Sequence, residues 1–371
     1  MRLHRALPLL LALPLGAEAP TLSWHGSLWA SGTASSRETP SGTPFLRPLE
    51  TGGFSLDGAT LSAGADLGQG WSAKATLLGG RAAEALNLAS GESGSLALME
   101  AQLVWTGGKE RITVGRMNTF LGMEYLDGAQ DLTATRGLLF AFADPFGQVG
   151  LAWHHTFTPS WSADLFLFNG EDRLKDNNRG KTVGMAVTYN HGGAADRTVS
   201  VHAYRGPEQD GRGAAALPGA EGRSRERLAM MGMWVWGPAT LQWEASFARE
   251  ELAGGTLAGA AGPRTARWGG AGAILRYALS PKVGLFARLE RFKDATGIRL
   301  AGDPTVAAAW APRVGADLVA SGAALGAERR WGATFARLEL RGDRLNRDLP
   351  DRDGRLFRNS VSATLALGTS F

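Results

Sequence analysis

Apolar and polar residues alternate along most of the chain, so that one face of each segment is apolar and the other is small, polar or charged. The clearest runs are residues 160–169, 239–249, 282–292, 331–341 and 361–371. A period of two residues is typical of a β-strand with one apolar face. Because the pattern recurs over residues 21–371, it predicts an all-β chain of about 16 strands, within a range of about 14–18.

Short and long connections alternate between these strands. The short ones are 68–70, 107–109, 158–160, 190–197, 237–239, 280–282 and 327–330. The long, polar ones are 32–52, 81–94, 117–145, 170–180, 205–226, 251–264, 294–314 and 341–356. Short periplasmic turns and long extracellular loops are the arrangement of a single transmembrane antiparallel up-and-down β-barrel. Closure suits a membrane, because hydrocarbon offers no partner for unpaired backbone groups at a sheet edge.

The first nineteen residues have the pattern of an export signal. A short basic segment, residues 1–5, precedes an apolar stretch at residues 7–15, and Ala17-Glu18-Ala19 has a small residue on each side of the variable one. This order is typical of a secretory signal peptide. We therefore predict a signal peptide at residues 1–19, a barrel at residues 20–371, and a location in the bacterial outer membrane.

Composition excludes several kinds of chemistry. The chain has no cysteine, which rules out disulfides and thiolate metal sites. Its 39 basic residues nearly balance 35 acidic ones, so charge does not indicate nucleic acid as a partner. His154 and His155 are adjacent on a strand and point to opposite faces, so they cannot share a metal ion. We predict no metal, no cofactor and no catalytic residues.

Aromatic residues cluster near the short turns. Five tryptophans share this position: Trp71, Trp105, Trp161, Trp236 and Trp331. Amphipathic rings prefer the headgroup level of a bilayer, so these residues predict a membrane-interface belt on the periplasmic side. The alternative is that they are core aromatics of a soluble β-sandwich, a fold that has no need for long loops on one side only.

Charged residues occupy the strand faces opposite the apolar ones. If the apolar faces meet lipid, these charges line a wet lumen. The predicted pore-lining strand residues are Lys74, Glu100, Arg111, Asp164, Glu244, Arg288, Glu290, Arg337, Glu339 and Arg341. Both signs are present, so the pattern does not predict an ion preference.

Parts of the sequence resemble the OmpL-like β-barrel porin family. The resemblance lies in residues 114–125, in the run 138–146, in Phe168-Asn169-Gly170 followed by residues 176–178, and in the last strands, and covers roughly residues 110–371. It implies an outer-membrane porin. The final residue, Phe371, also resembles the C-terminal signature read by the barrel assembly machinery, although Thr369 stands where an aromatic residue is common.

The longest connection, 117–145, is the third of the long loops, and by analogy with porins generally we expect it to fold into the lumen. It carries apolar residues that water would not cover well. Glu124, Asp127 and Asp131 would then face Arg111, Arg288, Arg337 and Arg341 across the pore. Opposed charges across a narrow wet gap create a transverse field that favours polar solutes. The alternative is an external loop packed on its neighbours.

These observations predict a porin that passes small hydrophilic solutes or ions by passive diffusion, without enzymatic activity. The expected partners are outer-membrane lipids, the barrel assembly machinery and the solutes, and the chain is compatible with a homotrimer. Two alternatives are an outer-membrane barrel enzyme of the lipase or protease type and a plugged structural barrel. No nucleophile or acid constellation at the barrel rim stands out for the enzyme.

Overall fold

A computed structural model describes residues 20–37, 53–212, 216–217, 219–253, 265–300, 316–351 and 353–371. The predicted signal peptide, residues 1–19, lies outside the described residues. The strands are β1 Thr21–Ser35, β2 Gly53–Gly68, β3 Trp71–Gly79, β4 Leu96–Gly107, β5 Glu110–Asn118, β6 Gly147–Thr158, β7 Trp161–Glu171, β8 Thr182–Asn190, β9 Arg197–Gly206, β10 Arg225–Trp236, β11 Ala239–Glu251, β12 Thr265–Ser280, β13 Val283–Asp294, β14 Leu318–Trp331, β15 Thr334–Pro350 and β16 Leu356–Ser370.

Every strand pairs antiparallel with its neighbours in sequence, and β1 pairs with β16 to close the barrel. The closing pairs run from Ser27 opposite Ser370 to Ser35 opposite Ser362. The predicted all-β, sixteen-stranded, up-and-down barrel is therefore confirmed. Closure leaves the sheet without an edge, which is what a spanning sheet needs in hydrocarbon.

The connections alternate as predicted, with two corrections at the C-terminal end. The turn expected at 327–330 lies instead at Gly332-Ala333, because β14 continues to Trp331. The loop expected at 341–356 is mostly strand, and only residues 351–355 connect β15 to β16. Residues 341–356 are rich in polar and charged side chains, which is why the sequence predicted a loop there. A strand that extends beyond the membrane can carry them, because its outer face then meets water.

The outer and inner faces of the wall differ as the alternation predicts. Outward residues on the last strands, such as Leu285, Leu325 and Leu338, are exposed and apolar. Inward residues at the same levels are buried, small or charged, such as Ala324 and Arg337. The buried apolar clusters therefore lie inside the barrel, between the wall and the segments that fold into it.

A short helix, α1 at Arg81–Ala89, lies within the connection that the sequence predicted as a loop at 81–94. Its alanines and Leu86 are buried against Leu78 of β3 and Met99 of β4. A run rich in alanine favours helix, and the apolar side of the helix is covered by the barrel wall. Among the described residues, none of the helices has the length and apolar content needed to cross a membrane.

Candidate functional site

The segment between β5 and β6, residues 119–146, folds into the barrel, and we call it the inner loop. Leu121 packs with residues of β5 to β10, while Leu126 and Phe140 pack with α1, Trp29 and residues of β3 and β4. Leu138, Leu139 and Phe142 pack against a third cluster on the opposite wall, which includes Trp268 and Phe292. Apolar side chains thus fix the inner loop to several sides of the lumen.

Arg288 on β13 is the centre of the polar attachment. Its Nη1 lies 2.9 Å from Oε1 of Glu124, and its Nη2 donates to the Thr135 hydroxyl at 2.8 Å. Glu339 on β15 accepts from the Ala134 amide at 2.9 Å and from the Thr135 hydroxyl at 2.5 Å. A planar guanidinium suits this role because it donates in several directions at once.

Two arginines of β15 bind the backbone of the inner loop. Arg337 donates to the Gly128 carbonyl at 2.9 Å and also pairs with Glu328 on β14 at 2.9 Å. Arg341 donates to the Arg136 carbonyl at 2.6 Å. Carbonyls that face away from water need such donors, since a buried unpaired carbonyl is unfavourable.

A carboxylate of β13 completes this attachment. Glu290 pairs with Arg341 at 3.2 Å and accepts from the Leu138 amide at 2.5 Å. Every polar contact of Arg288, Glu290, Arg337, Glu339 and Arg341 described above is made inside the barrel. The structure thus brings these five predicted residues together around the inner loop.

A second attachment lies on the other side of the lumen, and sequence reasoning missed most of it. Asp144 accepts from the Ser246 hydroxyl at 3.1 Å and lies 3.6 Å from Arg227. Arg227 also donates to the Ala143 carbonyl at 2.6 Å. Burial raises the pKa of Asp144, against the opposing effect of the nearby Arg227.

The alternation of β10 could have revealed Arg227, because it lies on the same face as the buried Ala229. Glu244, a predicted pore-lining residue, is almost fully buried, and it accepts from the Met123 amide at 3.3 Å. Its side chain therefore contacts the inner loop rather than open lumen at this level.

The three acidic residues of the inner loop that the sequence singled out differ in their partners. Glu124 pairs with Arg288 as expected. Asp131 instead pairs with Arg136 of the same loop at 2.9 Å, and Asp127 accepts from the Ser27 hydroxyl of β1 at 2.9 Å. Burial and the nearby Asp131 raise the pKa of Glu124, against the opposing effect of Arg288. The expectation that all three acids pair with wall arginines is therefore wrong for Asp127, and Asp131 makes its ion pair within the loop.

The remaining candidates lie nearer the short turns. Lys74 Nζ lies 2.6 Å from Glu100 Oε2, and His154 Nδ1 lies 2.9 Å from Asp164 Oδ1. Arg111 is opposite His154 in the sheet, is exposed, and makes no ion pair with a described residue. Its predicted position facing the inner loop is wrong, because it lies only a few residues from a short turn.

The lumen between the inner loop and the short turns forms a vestibule with protruding cations, two of which the sequence did not single out. Arg276 and Arg330 each pair with Glu328, at 3.1 and 2.8 Å. The Arg330 and Lys74 side chains are 36% and 47% exposed, whereas their partners Glu328 and Glu100 are 2% and 9% exposed. A solute in the vestibule therefore meets the cations before the acids.

The five predicted belt tryptophans all lie beside short turns. Trp71 and Trp105 are directly opposite each other on β3 and β4. The Trp161 ring lies 4.8 Å from that of Tyr189, and Trp236 and Trp331 are about half exposed. Trp24 near the start of β1 is also exposed and was not singled out. Placement of these rings at the headgroup level stays a prediction.

Phe371 completes the closure of the sheet. Its amide donates to the Gly26 carbonyl at 2.9 Å, and the Gly26 amide donates to the Phe371 carbonyl at 2.8 Å. A Cβ atom at Gly26 would come within 2.4 Å of the Phe371 ring, so the ring can lie over this position only because residue 26 is glycine. The role of Phe371 as an assembly signal stays a prediction.

The family comparison agrees with this architecture. A family profile described as "Putative beta-barrel porin-2, OmpL-like" matches residues 42–371. The chain belongs to this OmpL-like porin family. A search of curated protein sequences found no match. The family points to a channel of the bacterial outer membrane rather than to an enzyme.

Solved structures show the same fold for this OmpL-like porin. OmpT of Vibrio cholerae has 11% identity and a TM-score of 0.59, with 96% of this chain and 99% of that chain covered. The anion-selective porin from Comamonas acidovorans has 11% identity and a TM-score of 0.61, with 95% and 100% covered. The channel DcaP of Acinetobacter baumannii has 9% identity and a TM-score of 0.58, with 95% and 97% covered.

Proposed function

We propose that this OmpL-like porin is a passive diffusion channel for small hydrophilic solutes, in which the inner loop forms the constriction. The observation that carries the proposal is the attachment of the inner loop to wall arginines on β13 and β15. A loop held by buried charged contacts stays at a defined place in the lumen, and a fixed constriction sieves solutes by size. The proposal requires no cofactor and no chemical step.

A plugged structural barrel is the second candidate. The charged groups that attach the inner loop are nearly all buried, and apolar contacts reach several sides of the wall. Both observations favour a lumen that is well filled at the level of the inner loop. The two candidates differ in whether a continuous water path passes beside the loop.

Recordings from single molecules in a planar bilayer distinguish the two candidates. The purified porin should give discrete conductance steps that scale with salt concentration, because ions pass through a wet lumen. A barrel that is folded by circular dichroism and inserts without any conductance would contradict the channel. The same recordings report assembly. OmpT of Vibrio cholerae has a trimer form, and a homotrimer of this chain should close in three equal steps.

We also propose that the vestibule gives a mild preference for anions. Lys74 and Arg330 protrude towards the lumen and Arg276 lies partly buried behind them, while Glu100 and Glu328 are held against the wall. An ion passing nearby therefore interacts more closely with the positive groups, and the potential along its path is raised.

Removing two of these cations should shift the preference towards cations. Lys74→Gln with Arg330→Gln should lower the anion-to-cation permeability ratio by roughly fivefold or more, since each unit charge about 5–8 Å from an ion contributes about 0.5–0.8 kcal/mol in water and acts with opposite sign on anions and cations. Reversal potentials in a salt gradient measure the ratio. Arg329→Gln is the matched control for Arg330→Gln alone, because Arg329 is the next residue of β14 and stacks on the outward Trp331 at 5.2 Å. An equal shift in the control would place the selectivity elsewhere.

Proposals about export and assembly follow from the sequence. Residues 1–19 would direct export and be removed, and the barrel assembly machinery would read the last strand with Phe371. Pairing of Phe371 with Gly26 supports a role for this residue at the point of closure. Outer-membrane lipids would surround the apolar outer face.

A further inference from the structure

The outward face of the barrel near its long-loop end is basic on one side. Four outward residues of β12, β13 and β15 are exposed there, and we call them the outer basic patch: Arg267, Arg291, Lys293 and Arg344. Arg291 lies opposite Ser321 on β14, and Ser321 lies opposite Arg344. Adjacent strands are about 4.8 Å apart, so the backbones of these two arginines are separated by about 10 Å, and both guanidinium groups can reach one anion between them.

The arginines of the outer basic patch differ from other outward arginines of the same rim. Those other arginines have a carboxylate near: Arg205 lies 3.6 Å from Glu226, Arg249, which is directly opposite Arg267, lies 3.7 Å from Glu251, and Arg358 lies 2.8 Å from Asp348. Within the described part of the chain, Arg267, Arg291 and Arg344 have no salt-bridge partner.

Two carboxylates lie at the patch itself. Asp317 is 3.3 Å from Lys293, and Glu251 of β11 is opposite Thr265, two residues before Arg267. Glu290 and Asp343 are next to Arg291 and Arg344 in sequence but are buried on the inward face. The outer basic patch therefore carries an excess of positive charge on the outer surface, and an anion would complement it.

The patch lies at the height where lipid headgroups are expected. Arg291 is eight residues above Val283, the first residue of β13 at the short-turn end. Eight residues of a strand tilted by about 40° rise about 20 Å, close to the upper edge of the apolar band of about 25 Å. Below the patch, Leu289, Leu325 and Leu340 are strongly exposed and apolar.

A shallow groove connects the charged and apolar parts of this surface. Ser321 and Ala323 of β14 have small side chains and Gly322 has none. The groove there encloses about 460 Å³, and Leu289, Arg344 and Val361 line it together with Glu290 and Asp343, whose side chains are buried. On β2, β4 and β8, the outward positions near the long loops do not combine basic residues with a groove of small residues. There, Phe54, Leu96 and Val183 are exposed and apolar.

We propose that the outer basic patch binds the phosphate groups of an anionic glycolipid of the outer leaflet, with an acyl chain lying along the groove and over the leucines below it. Charge complementarity selects the phosphates, because guanidinium groups bind phosphate oxygens in a planar, paired geometry. Apolar area below the charges selects a lipid over a soluble anion. The inference rests on long loops that face outwards, and it does not require that the barrel conducts.

Native mass spectrometry of the porin in a neutral detergent, titrated with bisphosphorylated lipid A, tests the proposal. Arg267→Gln, Arg291→Gln and Arg344→Gln together should weaken lipid A binding by about tenfold or more, because charge-assisted contacts to phosphate are lost. The matched control removes the same charge from three paired cations on the β8–β10 side of the barrel, Lys181→Gln, Arg205→Gln and Arg212→Gln, and should change binding little. Both variants should keep the strand spectrum and the conductance of the native porin.

Three results would overturn the proposal. Equal loss of lipid A binding in both triple variants would show only a general charge effect. Equal binding of lipid A and of the same lipid with its phosphates removed would show that the patch does not recognise phosphate, and full competition by inorganic phosphate alone would indicate a site for a soluble anion. A change in oligomeric state confined to the patch variant would indicate that a second copy of the chain covers this surface.

Discussion

Deletion of residues 122–134 should roughly double the single-channel conductance or raise it further, because the deleted residues occupy the lumen of a barrel whose strand number otherwise leaves an aqueous channel. The deleted segment contains Glu124, which is attached to Arg288, and the carbonyl of Gly128, which is attached to Arg337. Single-channel recording in a planar bilayer measures the change directly.

Two controls make the deletion informative. A strand-rich circular dichroism spectrum establishes that the barrel has formed without the segment. A variant in which the same residues are replaced by an equally long glycine-serine sequence keeps the length but loses the charged attachment. This variant should also conduct more, with a noisier open state, since a detached loop moves on the time scale of the recording. Unchanged conductance in the folded deletion variant would remove the inner loop from the conduction path.

Arg288→Met should release the inner loop from the wall. The substitution leaves Glu124 and Glu339 buried without the cation that they share, and breaking a buried ion pair by removal of one partner costs about 3–5 kcal/mol. Because the loop can detach while the closed sheet remains paired, we expect local opening before loss of the barrel.

Trypsin cleavage after Arg136 measures this opening. Arg136 is the sole lysine or arginine among residues 119–146, and it is buried. The native barrel should resist cleavage there, and Arg288→Met should be cut much faster. Arg276→Met is the control, because Arg276 is an inward arginine of β12 that pairs with Glu328. Cleavage at the same rate in native and Arg288→Met barrels would show that Arg288 does not hold the loop.

The barrel architecture could be predicted because alternation is local. A residue such as Leu289 faces outwards and Glu290 inwards simply because successive side chains of a strand point to opposite faces. Errors arose where the chain leaves the membrane. The strand β15 continues past Arg341, where polarity on both faces no longer separates strand from loop.

The polar site could be predicted only in part. Arg288 and Glu124 were expected to meet, and they do, because the inner loop is too apolar to remain in water. The pairing of Asp127 with Ser27 and of Asp144 with Arg227 depends on the exact path of the loop. The partners in these two pairs are far apart in the sequence, and local patterns of residues do not predict the path that brings them together.

By itself, the sequence determined the sixteen-stranded barrel, its alternating short and long connections, and the faces that bear Arg288, Glu290, Arg337, Glu339 and Arg341, because each depends on local periodicity. The tertiary structure alone decided which of these charges meet the inner loop, that Arg111 lies away from it, and that Arg291 and Arg344 share one surface. Those contacts depend on the register between strands and on packing inside the lumen, where distant segments come together only after the sheet has closed.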